Sequence, residues 1–246
     1  MSEIFRTFLS QPLFNALIFL HEHASFGDLG VAIILLTISV RLILFPLFHK
    51  TAKHQRIAQE IQPEIKKIQE KHKNDREAQT KELMELYKKY QVNPLTPIFL
   101  LILQLPILFA LYKMFVAGIT EETLTLLYPF VPVPENISHT FLGVVELNAV
   151  SIPIAVLAAA AQYAQGKLAI ARTKSQSPLS AQAIKIAKVT IFMGPAIALV
   201  VLTRFPAAVG LYWLTSTAFS IIQQAIVNKS VSRANERATR KNTDDS

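Results

Sequence analysis

The chain has 246 residues, 51% of them hydrophobic and 17% charged, with a positive mean hydropathy, a balance that disfavours a soluble globular domain and favours partition into a bilayer. Lysine and arginine outnumber the acids 25 to 17, and the resulting net charge of +8 should face anionic lipid or nucleic acid wherever it clusters. The absence of cysteine excludes disulfides, thiolate metal sites and cysteine nucleophiles.

A hydrocarbon core about 30 Å thick needs roughly 20 apolar residues at 1.5 Å each. Residues 1–26 precede the first such stretch. They carry Phe5, Phe8, Leu9, Pro12, Leu13, Leu17 and Leu20 at helical spacing, with Ser10, Gln11 and Asn15 elsewhere. This pattern predicts an interfacial amphipathic helix lying on the outer face of the membrane. It is not a secretory signal, because His21, Glu22 and His23 follow Leu13 to Leu20 without a small-residue cleavage pattern. A mitochondrial presequence would be richer in arginine and serine and poorer in acid, which points to a bacterial source.

Residues 27–49 form the first predicted crossing, and residues 50–94 a cytoplasmic helical hairpin. In the hairpin Ile57, Ile61, Ile65 and Ile68 make one apolar stripe; Leu83, Leu86, Tyr87 and Tyr90 make the other, after Lys73-Asn74-Asp75. Pro63 should kink or restart the first helix, and Asn93-Pro94 should end the second. Further crossings follow at 95–116, 148–165, 188–203 and 207–228. They are joined by an outer loop 117–147, a cytoplasmic loop 166–187 and an outer turn 204–206, and a basic cytoplasmic tail 229–246 ends the chain. The fourth stretch is short and contains Gly194-Pro195, so it also reads with the fifth as one bent hairpin; their joined length, about 40 residues, favours two crossings. The predicted fold class is an all-α polytopic membrane protein with five transmembrane helices.

Lysine and arginine set the orientation. Residues 50–93 hold eleven, residues 166–187 four and the tail five, whereas 117–148 hold none and only Arg6 and Arg204 fall in the remaining outer segments. This places the N-terminus outside and the C-terminus in the cytoplasm. Seven acids are interspersed among the hairpin's eleven cations. The pattern fits a solvated, charge-alternating face, or a docking arm whose net +4 attracts lipid headgroups or ribosomal RNA.

Arg41 lies about seven residues, roughly 10 Å, from the cytoplasmic end of the first stretch, where a charge costs about 2.5–3.5 kcal/mol on insertion scales. Either the side chain snorkels to the headgroups, or a water-filled cavity opens to it from the cytoplasm. Polar residues in the other stretches favour the cavity. Thr37 precedes Arg41 by one turn, Gln104 interrupts the second stretch, and Gln162 and Tyr163 the third. Tyr212, Trp213, Thr215, Ser216, Thr217, Ser220, Gln223 and Gln224 run down the fifth. Taken singly, each also fits helix packing or an interhelical hydrogen bond, and Trp213 fits an interfacial belt.

Between residues 29 and 48, and throughout the other four stretches, there is no Asp or Glu, so ion-coupled transport is not expected. No phosphate-cradling glycine loop, Gly-x-Ser-x-Gly elbow or His-Glu-x-x-His helix occurs. His21 and His23 around Glu22 form at best a weak metal site. No enzyme activity and no cofactor is expected.

Several pieces together resemble the YidC-type insertases, a superfamily that includes the mitochondrial oxidase-assembly and chloroplast albino insertases. They are Thr37-Ile38-Ser39-Val40-Arg41 with Phe45-Pro46-Leu47; Gln62-Pro63-Glu64-Ile65-Lys66 and Glu82-Leu83-Met84-Glu85-Leu86-Tyr87; Val92-Asn93-Pro94-Leu95; Gln104-Leu105-Pro106-Ile107 with Ala110-Leu111-Tyr112; and Gly210-Leu211-Tyr212-Trp213 followed by Gln223-Gln224. The resemblance implies a five-helix insertase core in its short bacterial form, without a large outer domain. Its hydrophilic groove would be closed outside and open to lipid and cytoplasm. Arg41 would be the groove's charge, and Thr37, Gln162 and Trp213 match groove or substrate-contact positions. Tyr212 is an adjacent candidate, and the residue reading adds Gln104.

The implied clients are nascent membrane proteins in the bilayer of the bacterial plasma membrane. The ribosome is an expected partner through the 50–93 hairpin and the tail, and a Sec-type translocon is a further candidate. The sequence departs from the family where Thr96-Pro97-Ile98 and Leu100 replace the usual Gly-Gly-Cys and following proline, and where Ser216-Thr217 replaces Ser-Asn. These departures bear on the entry of the second helix and the polarity of the fifth. Competing readings are a small-solute transporter or channel, and a ribosome-docking scaffold.

Overall fold

The computed structural model describes the backbone apart from residues 1–2, 94, 118–119, 135–136, 172–180 and 245–246. Side chains are described except at these positions and at 55, 59, 96–103, 116–117, 121–122, 169–171, 181–190 and 230–244. Arg172, Lys174, Thr96-Pro97-Ile98, Leu100 and the cations beyond Lys229 therefore lie outside the described side chains.

The chain opens with α1 (Glu3–Phe5), a π-helical turn (Arg6–Ser10), α2 (Gln11–Ala24) and α3 (Leu29–Ile43). Then come α4 (Phe45–Glu60), α5 (Gln62–Lys71), α6 (Arg76–Lys89), α7 (Thr96–Ala117) and the short α8 (Glu121–Leu124). A two-stranded antiparallel hairpin pairs Thr140 with Glu146 and Phe141 with Val145. It leads to α9 (Ile152–Ala171), α10 (Ala181–Leu202) and α11 (Ala207–Asp244). The last helix is central: it packs against α3, α4, α7 and α9, while α9 also carries α10.

The apolar residues of α3 converge with those of α7, α9 and α11 in one core that includes Ile33, Leu36, Ile107, Leu111, Ala155, Ala158 and Leu211. Close approach there depends on small residues. A Cβ on Gly210 would stand 2.8 Å from Ile154, and one on Gly30 would stand 2.3 Å from the Phe141 ring, which packs over the start of α3.

The first apolar stretch is divided rather than straight. Helix α3 stops at Ile43, and α4 departs at 67° after Leu44. Pro46 lacks the N–H that would reach back to the Leu42 carbonyl, so the ladder cannot run through unbroken. Residues 50–60 consequently belong to α4, which packs against α7 and α11, while Ile57 near its end still meets the arm's apolar core. Among the described residues no single helix is long and apolar enough to cross a membrane; the bent pair Leu29–Ile43 with Phe45–Ala58 passes that test together.

The hairpin is α5 and α6. Ile61, Ile65, Ile68 and Leu86 close its core, flanked by Ile57, Leu83, Tyr87 and Tyr90, the two stripes of the sequence pattern. Helix α5 restarts at Gln62 with proline in its first turn, where no N–H partner is needed. Asp75 caps α6, accepting from Glu77 N at 3.1 Å and Ala78 N at 2.9 Å. Helix α6 ends at Lys89, earlier than Asn93-Pro94. Gln91 takes φ 52°, its N–H bonds Lys88 O at 3.0 Å, and Val92 N bonds Tyr87 O at 2.9 Å. This is a Schellman closure, in which the left-handed residue returns amides to the orphan carbonyls.

The N-terminal helix packs against the bundle. Leu17 enters the main core, Leu9, Leu13 and Leu20 pack against it, and Phe14 and Ile18 join Val131 in a second cluster. Most of the apolar stripe thus faces the bundle, while Phe8 stays 77% exposed. Asn15 is buried: its Nδ2 donates to Gln11 O at 2.8 Å and Leu126 O at 3.0 Å, and its Oδ1 accepts from Tyr128 N at 2.6 Å. Gln11 Nε2 adds a bond to Leu126 O at 2.9 Å, so the polar side of the helix is stapled to residues 126–128.

Candidate functional site

Arg41 sits in the last turn of α3, where free carbonyls and the helix dipole favour a cation. The break at Leu44 revises the reason for its burial. It lies only two residues from the end of its helix, and α4, α7 and α11 enclose it where straight-helix depth would not. The residue is 9% exposed. Its Nε donates to Ser216 Oγ at 3.0 Å, its Nη2 also bonds Ser216 Oγ, and Nη2 reaches Gln104 Oε1 at 3.5 Å. The guanidinium carbon stands 4.4 Å from the centre of the buried Phe48 ring, a cation–π contact. The side chain therefore points into the bundle and does not snorkel outward.

Gln104 passes the network on, its Nε2 donating to the Tyr212 hydroxyl. Tyr212 and Ser216 are four residues apart and share one face of α11. The site thus joins α3, α7 and α11 through one cation and neutral partners. Among the described residues no ion pair involves Arg41; the pairs formed are His21–Glu22, Arg56–Glu60, Lys71–Glu82 and His72–Glu82. A buried charge held only by neutral acceptors retains its field.

The remaining predicted residues fall elsewhere. Trp213, next to Tyr212 but turned away from it, donates Nε1–H to Gln162 Oε1 at 3.1 Å and joins α11 to α9. Gln162 lies against α10 where Gly194 has no side chain; a Cβ there would be 3.2 Å from its Nε2. Tyr163 packs against Phe192 with the rings tilted by 35° and their centres 5.4 Å apart. Thr37 is buried and donates its hydroxyl to Ile33 O at 2.7 Å, its own helix, and not toward Arg41. The six predicted residues form a trio, a pair and a separate threonine.

Two partners were not singled out by the sequence. Ser216 supplies the nearest acceptor, and its signal was its spacing from Tyr212; Phe48 becomes the floor only because α4 folds back under α3. Arg56 is a third omission. Counted with the hairpin's charge run, it is buried on α4 and pairs with Glu60 at 3.1 Å, an i,i+4 spacing present in the sequence. His21 is buried too, with Nδ1 2.8 Å from Glu22 Oε1 and Nε2 3.1 Å from Gly27 O. Among the described residues no group of three or more His, Asp and Glu could hold a metal ion.

A cation and its polar partners enclosed in a mainly apolar core, with Ile43, Phe192, Val200 and Ile222 exposed outside, suit a helical membrane protein with a polar cluster in its interior. The comparisons agree. The profile of the family described as "60Kd inner membrane protein" matches residues 19–235, and the chain belongs to that family, the YidC family. It is similar to the protein named "Membrane protein insertase YidC" of Geobacter sulfurreducens, 31% identical over 228 residues, which are 92% of this chain and 38% of the relative. The protein of the same name from Campylobacter jejuni is 28% identical over 242 residues, 95% of this chain and 40% of its own length. The one from Clostridium perfringens is 34% identical over 209 residues, 84% of this chain and 82% of its own. The chain thus spans about two-fifths of the first two relatives and most of the third.

Proposed function

We propose that this chain is a membrane protein insertase and chaperone, crossing the bacterial plasma membrane five times with its N-terminus outside and its C-terminus in the cytoplasm. The names of its relatives support the activity. The charge pattern supports the orientation: counting the exposed Lys113 near the end of α7, the bias along the sequence is about twenty to three.

The observation that carries the reading is a guanidinium at 9% exposure with only uncharged partners. An acidic or strongly polar client segment entering beside it gains a charge-assisted hydrogen bond for which no carboxylate among the described residues competes. Such a segment meets a positive charge part-way across, which shortens the low-dielectric path it must travel. Gln104 and Tyr212 belong to the same network, and the Gln162–Trp213 pair between α9 and α11 is a second polar contact for the client. The client's apolar helix then leaves sideways into lipid, driven by burial at about 25 cal/mol per Å². The α5–α6 arm and basic tail recruit the ribosome, and a Sec-type translocon is a second partner. No nucleotide is required.

The test is reconstitution of the whole chain in liposomes with one single-span, acidic-tailed client, scoring protease protection of the tail. Arg41→Ala should slow insertion about tenfold, the equivalent of one charge-assisted hydrogen bond. Arg41→Lys should largely retain it, because charge matters more here than bidentate geometry. Equal loss in both variants contradicts the charge mechanism, and undiminished insertion by Arg41→Ala favours a scaffold instead.

A further inference from the structure

Two loop tips at the end of α3 that begins at Leu29 hold large apolar side chains in the open. Phe26, between α2 and α3, is fully exposed, and Leu142 and Val144 in the turn of the two-stranded hairpin, between Phe141 and Val145, are 67% and 84% exposed. Phe26 and Leu142 have φ of 55° and 53°, left-handed conformations that bulky L residues seldom adopt. Gly27 and Gly143 follow them with φ of 74° and 67°. Each tip thus turns sharply and carries its apolar residue on the turn itself.

Glu22, His23 and Glu146 stay exposed nearby, but the polar groups next to the tips themselves, His21, Ser25 and Asp28, are turned into hydrogen bonds within the protein. Asp28 Oδ1 accepts from Val31 N at 2.8 Å and caps α3, while its Oδ2 accepts from Leu142 N at 2.6 Å. One carboxylate therefore holds both tips. The buried Ser25 hydroxyl donates to His21 O at 3.0 Å, and both ring nitrogens of His21 are engaged. For a surface in water this arrangement is inside out. Residues 141–145 carry no charge, and residues 117–148 carry no Lys or Arg. Phe26 also directly precedes the apolar stretch that starts at residue 27, so the tips are continuous with the part of the chain that meets hydrocarbon.

We propose that Phe26 and the Leu142–Val144 turn are paired anchors inserted among the acyl chains of the outer leaflet, moored to one another through Asp28. The anchors fix the height of α3, and with it that of Arg41, relative to the bilayer. This inference needs no client and concerns the opposite end of α3, but its outer-leaflet assignment rests on the orientation proposed above; lipid exposure of the labels tests the anchors whichever leaflet they enter.

The chain has no cysteine, so single-cysteine variants can be labelled without background. Phe26→Cys, Leu142→Cys and Val144→Cys, each carrying a nitroxide, are reconstituted in phosphatidylcholine–phosphatidylglycerol liposomes as the whole chain. Val156→Cys on the exposed apolar face of α9 and the exposed Asn148→Cys serve as lipid and water references. Collisions with oxygen should exceed those with a water-soluble nickel chelate at 26, 142 and 144, as at 156. Chelate collisions dominating, as at 148, overturn the proposal; exclusion of both reagents also overturns it, because protein and not lipid then covers the tips. If the label at 26 prevents reconstitution, positions 142 and 144 decide. Asp28→Asn, which keeps an oxygen for the α3 cap but lacks the second acceptor, should shift position 144 toward the chelate and leave 156 unchanged. Unaltered lipid exposure at 144 in that variant overturns the mooring.

Discussion

At Arg41 the decisive contact is a serine hydroxyl. Removing Ser216 leaves the guanidinium Nε without its acceptor inside the bundle, and a buried donor left unpaired next to a charge costs about 1–3 kcal/mol. Ser216→Ala should therefore lower the thermal midpoint of the detergent-solubilised protein by several degrees, at about 2–4 °C per kcal/mol for a chain of this size. Ser216→Thr, which keeps a hydroxyl, should recover most of the loss. An unchanged midpoint in the alanine variant means that the guanidinium is not held at this position. Arg41 itself was legible in the sequence because a cation inside an apolar stretch requires compensation from somewhere. Its partner was not. Ser216 is one of eight polar residues on the fifth stretch, and only the approach of α3 and α7 selects it. Thr37 illustrates the converse, since sharing a face with Arg41 did not prevent its hydroxyl from bonding its own backbone.

The α5–α6 arm is an element whose closure is linked to pH at both ends. Glu82 accepts from Lys71 Nζ at 2.9 Å and from His72, and these hydrogen bonds hold its carboxyl below the usual range. A depressed folded-state value means stabilisation that is present above the ordinary carboxylate range, near 4, and lost as pH falls through the folded value. Tyr90 donates to Glu64 at 2.6 Å, and this bond to a carboxylate raises its phenol. Its contribution is present below the ordinary phenol range, near 10, and lost as pH rises through the folded value. The arm should thus be most tightly closed between these limits. Spin labels at Glu70→Cys and Lys81→Cys should give a narrow distance distribution near neutrality that broadens below about pH 4. Glu82→Gln should broaden it already at neutrality and remove the acid dependence; a distribution insensitive to pH in the unaltered arm refutes the linkage. The two apolar stripes of this arm were readable because helical periodicity survives without knowledge of the partner. The helix end at Lys89 was not, since the Gln91 turn closes the helix before proline is reached.

For the molecule as a whole, the uneven placement of cations predicts which surfaces face which compartment. In right-side-out vesicles, Asn148→Cys should react with a membrane-impermeant maleimide, and Lys81→Cys should react only after the membrane is opened. The opposite pattern refutes the assigned orientation. Composition and periodicity alone determined that this is a helical membrane chain with a basic arm and an arginine inside an apolar stretch, because hydrophobic runs, charge asymmetry and a 3.6-residue repeat are local properties of the sequence. Tertiary structure decided what local pattern could not. The turn at Leu44 brings α4 and Phe48 beneath Arg41; packing on α3 draws the N-terminal helix into the core; and the six polar candidates separate into a trio, a pair and a lone threonine. Each outcome depends on which helix lies opposite which, and hydrogen bonds between residues 63 and 175 positions apart are set by that arrangement and not by spacing along the chain.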